Sequence, residues 1–100
     1  MAYTDVTDPG CVLKAIEECD EIGRDAFLDK YGFGRSTKFM IEHEGELYDS
    51  KAVLSAAHQY QTGRQLPHTE FSGGSATTVR HLESLGFNIT EIGVNVLSRE

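Results

Sequence analysis

Val12, Ala15, Ile16 and Cys19 recur at the i, i+3, i+4, i+7 spacing of one helix face. Asp8-Pro9 stands where such a helix begins, with Asp as cap and Pro at the first helical position, where its missing N–H costs nothing. Gly23 ends or bends this helix. A second, short helix over about 24–31 contributes Phe27, Leu28 and Tyr31, and Gly32-Phe33-Gly34 breaks it. Residues 38–43 and 46–49 then read as a β-hairpin around Glu44-Gly45, with Ile41 opposite Tyr48 and Phe39 beside them. Two strands alone are marginal in water, so 87–91, where Phe87, Ile89 and Glu91 alternate with Asn88 and Thr90, supplies a third.

A third helix starts at Asp49 or Ser50, carries Val53, Ala56, Ala57 and Tyr60 as its buried stripe, and stops at Gly63. A loop from Gly63 to Gly74 leads to a fourth helix over about 75–85 with Val79, Leu82 and Leu85 inside. Gly86-Phe87 suits a Schellman ending, Gly at positive φ and Phe folded back as the apolar lock. The pattern predicts one α+β domain, ααββαα plus a closing strand, with about four helices on a three-stranded antiparallel sheet. Residues 1–7 and 93–100 stand as candidate flexible ends, the tail from Ile92 to Glu100 either lengthening the closing strand or fraying.

Composition narrows the class. With 100 residues, 39% apolar and 25% charged, the chain suits a single globular core without metal or disulfide staples. No apolar run approaches the ~20 residues of a membrane span, and no signal pattern opens the chain, so a cytoplasmic protein without membrane partners is expected. Cys11 and Cys19 lie about 12 Å apart along one helix, too far for a disulfide, which needs the Cα atoms within about 7 Å. Cys19 reads as a core thiol and Cys11 as incidental.

Charge is divided unevenly. Residues 1–50 carry twelve Asp/Glu against five Lys/Arg, a net of −7, whereas residues 51–100 carry four of each sign. A chain of this balance does not coat DNA non-specifically, but it leaves room for a local anion site in the second half. Glu17, Glu18, Asp20, Glu21, Asp25 and Asp29 read as solvated helix surface.

Two stretches could hold an anion. In Phe71-Ser72-Gly73-Gly74-Ser75, paired glycines let backbone N–H groups converge at a helix N-terminus, and Ser72, Ser75 and Thr77 add hydroxyls. The stretch lacks P-loop spacing and its lysine, and a plain helix cap uses the same residues. In Tyr48-Asp49-Ser50-Lys51, a lysine occupies the first turn of a helix, against the dipole. Either an anionic ligand or a local ion pair with Asp49 compensates it. Arg35 and Lys38 precede the hairpin, and Arg80 lies on the fourth helix, so Arg35, Lys38, Lys51, Ser72, Gly73, Gly74, Ser75, Thr77 and Arg80 form the candidate ligand-binding set.

Catalysis finds no such pattern. His43, His58, His68 and His81 share no ligand spacing, His58 reads as a packed core histidine, and no serine sits in a nucleophile elbow. No metal or cofactor is expected.

Several blocks together resemble one family. Lys30-Tyr31-Gly32-Phe33-Gly34-Arg35-Ser36, Tyr48-Asp49-Ser50-Lys51-Ala52-Val53, Tyr60-Gln61-Thr62-Gly63, Phe71-Ser72-Gly73-Gly74, Thr77-Thr78-Val79 and Leu85-Gly86-Phe87 are similar to the N-terminal head domain of McrA-type HNH restriction endonucleases, which cut modified DNA. The similarity covers about residues 11–90 and includes nothing of the HNH part. It implies a non-catalytic recognition domain in a restriction system of phage defence, with nuclease activity on a separate domain. DNA or a nucleotide-like phosphate is the expected ligand. The alternative is a docking module, or an acidic regulator, whose first half faces nuclease domains or another subunit.

Overall fold

The computed structural model describes residues 5–35, 39–67 and 74–91, with the backbone alone for 74–77. The first helix, α1 (Pro9–Ile22), starts as the sequence dictates: the Asp8 carboxylate accepts from the Gly10 N–H at 2.9 Å, and Pro9 takes the first position. Gly23, at φ +92°, separates α1 from α2 (Arg24–Tyr31). Val12, Ala15, Ile16 and Cys19 from α1 join Phe27, Leu28 and Tyr31 from α2 in one buried cluster. Both cysteines are buried and free. Cys11 is therefore a core thiol as well.

The sheet follows. Strands β1 (Phe39–His43) and β2 (Glu46–Asp49) pair antiparallel with Ile41 opposite Tyr48. Glu44 and Gly45 both take positive φ, the primed turn whose twist suits a two-residue hairpin. Strand β3 (Asn88–Glu91) pairs antiparallel with the other side of β1, giving the order β2-β1-β3. This register gathers Phe39, Asp49 and Glu91 at one end of the sheet and puts the hairpin turn and Asn88 at the other.

Helix α3 (Ser50–Thr62) is the centre of the domain, with residues 52–58 all buried. A helix covered all round must be lined by small and apolar side chains, which explains its alanines. It corrects the expected stripe at one point: Tyr60 is 43% exposed and turns its hydroxyl towards Glu18. Helix α4 (Gly74–Ser84) buries Thr78 and Leu82, while Val79 and Leu85 are half-buried at its flanks.

The close of α4 is a Schellman motif. The Phe87 N–H donates to the Leu82 carbonyl at 3.1 Å and the Gly86 N–H to Glu83 at 3.0 Å, with Gly86 at φ +98° and Phe87 buried in the core. A Cβ on Gly86 would meet nothing within 4 Å, so alanine there carries only the left-handed backbone cost. Gly86→Ala is expected to lose about 1–2 kcal/mol, read in urea unfolding as a lower midpoint at unchanged slope.

Residues 5–8 cross the far ends of both central helices. Val6 is fully buried, and its carbonyl accepts from His81 Nε2 of α4 at 2.6 Å. The Thr7 and Asp8 N–H groups both donate to Gln61 Oε1 of α3, and Gln61 Nε2 donates to Thr7 Oγ1. The last turns of α3 and α4 therefore meet at this segment. Helix α4 turns back into β3 at the hairpin end of the sheet, and α3 begins, directly after Asp49, at the end marked by Phe39, Asp49 and Glu91.

Candidate functional site

At that end the first residues of α2 and α3 are locked together. Arg24 grips Asp49 with two bonds, Nε to Oδ1 at 2.7 Å and Nη2 to Oδ2 at 2.9 Å. This is the planar fork that suits guanidinium to carboxylate. Asp49 is 3% exposed, and the hydrogen bond to it raises the Arg24 pKa further. Asp49 thus holds Arg24 and makes no side-chain cap on α3. Nor does the neighbouring serine cap it, since Ser50 Oγ donates to the Phe39 carbonyl at 3.2 Å. Of the two ways to compensate Lys51, the local pair with Asp49 gives way to Arg24, 25 positions earlier, which takes both carboxylate oxygens.

Helix α3 therefore begins with no acidic residue in its first turn, no side-chain cap bond, and Lys51 half-buried in that turn. Such an end carries partial positive charge from its free N–H groups, to which the lysine adds. Arg35 belongs to the same corner. Its guanidinium reaches Asp25 at 2.6 Å, and Asp25 follows Arg24 directly, though both partners of that pair are largely exposed. Glu91 places one carboxylate at the same end of the sheet.

The other candidate residues are placed as follows. Gly74, Ser75 and Thr77 form the opening turn of α4, and Arg80 is exposed one turn further along. Lys38, Ser72 and Gly73 lie outside the described residues. Arg24 was missing from the sequence-based set. A lone arginine after a helix-breaking glycine carries no spacing signal for a partner 25 residues away.

A second polar cluster was misread as surface. Glu18 is buried, and its carboxylate accepts from the Tyr31 hydroxyl at 2.7 Å, the Tyr60 hydroxyl at 3.0 Å and the Lys30 ammonium. Burial opposes its charge, but these hydrogen bonds prevail and hold its pKa below the ordinary glutamate value. Asp20 likewise accepts from the Tyr48 hydroxyl at 2.7 Å. Each carboxylate joins helices or strands, so both read as structural. Burial pushes the Cys19 thiol up to about 11, far from a nucleophile's range. Among the described residues no group of His, Cys, Asp and Glu could hold a metal ion, and no helix is long and apolar enough to cross a membrane.

A family model for the ScoMcrA-like, N-terminal head domain matches residues 4–91. Among solved structures, that of the Type IV phosphorothioation-dependent restriction endonuclease ScoMcrA is similar at 35% identity and a TM-score of 0.62. The similarity spans 83% of this chain and 12% of that one, so the chain corresponds to a small part of the relative's length. No curated protein matches.

Proposed function

The chain belongs to the family of ScoMcrA-like N-terminal head domains, and on that premise we propose that it is a non-catalytic accessory domain of a modified-DNA restriction system. Its task is to contact the phosphate backbone while the modification is read, and the strand cut, by other domains. The feature that supports this reading is the start of α3, where Lys51 stands in a first turn without an acidic residue or a side-chain cap, beside the Arg24–Asp49 pair. Backbone N–H groups at such ends favour phosphate, and contacts of this kind fix orientation without reading sequence. Lys38, Ser72, Gly73, Gly74, Ser75, Thr77 and Arg80 complete the proposed contact set. An acidic outer surface limits binding to that end.

The test is a titration of labelled duplex DNA, plain and phosphorothioated, against the purified chain at low salt. Lys51→Glu is expected to weaken binding about tenfold, while Arg64→Glu, at the opposite end of α3, leaves it unchanged. The Lys51 change also supplies an acid to the first helical turn, so stability should hold or rise slightly. Equal affinities for the two variants would remove the reading. A protein-docking role is favoured by one feature, the exposed Leu13 and Ile22 beside Glu17 and Glu21 on the outer side of α1. Cross-linking that captures nuclease domains through this side, with no saturable DNA binding, would establish it instead.

A further inference from the structure

We draw no further inference here: the strongest candidate, the outer face of α1 where exposed Leu13 stands beside Glu17 and Glu21, already belongs to the docking reading above, and nothing in the structure shows what covers it.

Discussion

Alanine in place of Arg24 is expected to lower the stability of the domain by about 2–3 kcal/mol, or roughly 10–20 °C in melting temperature. The reason is the environment of Asp49. Its carboxylate is 3% exposed and receives both arms of the Arg24 guanidinium. Removing one member of a buried pair leaves the other as a charge poorly solvated by its surroundings, which costs about 3–5 kcal/mol in fully buried cases. Arg24 itself is 35% exposed, so water can follow the truncation inwards and reduce that figure. Lysine should recover only part of the loss, because a point charge cannot reproduce the fork. Chemical denaturation of the three proteins checks the order, with wild type first, lysine next and alanine last. If alanine melts with wild type, the pair is not what joins α2 to α3.

Glu18→Ala should cost about 2–4 kcal/mol by a related argument. Three donors lose their acceptor together: Lys30, Tyr31 and Tyr60. Lys30 and Tyr60 are exposed enough to turn to water, whereas Tyr31, at 3% exposure, is left with a buried hydroxyl. Its pKa is raised by burial and then by Glu18, so it remains a neutral donor with nothing to receive it. The pH dependence has a definite sign. Because Glu18 is held below its ordinary value, the stabilisation is complete above the unfolded pKa of about 4.3 and disappears as pH falls through the lower folded value. Unfolding curves of wild type and variant should therefore converge in acid. A gap that stays constant below about pH 4 would show that the carboxylate's charge has no part in it.

Local rules made most of the elements legible. Asp8-Pro9, Glu44-Gly45 and Gly86-Phe87 each combine a turn or cap requirement with the side chain that meets it, so they mark boundaries without tertiary information. Long-range polar pairing was hidden. Glu18 sits in an acidic run and looks solvated, because its partners are 12, 13 and 42 residues away. Tyr60 falls at the right helical spacing to be buried, but a helix covered on every side needs small residues, and its last turn leaves Tyr60 at the rim. Val6 shows no periodicity at all, so a core position held by one residue of an extended segment could not be read. The candidate site was legible only in composition. Lys51 at a helix start was visible, but its setting depends on Asp49 turning to Arg24, a choice made in three dimensions.

The phosphate-binding end is tested most directly by the salt dependence of duplex DNA binding to the wild-type chain, followed by fluorescence anisotropy. Each neutralised phosphate contributes a slope of about −0.9 in log affinity against log salt, so contacts from Lys51, Arg35 and one further cation give roughly −2 to −3. The expected result is saturable binding at low salt with that slope. Absence of saturation at high micromolar chain, or an affinity indifferent to salt, would contradict it.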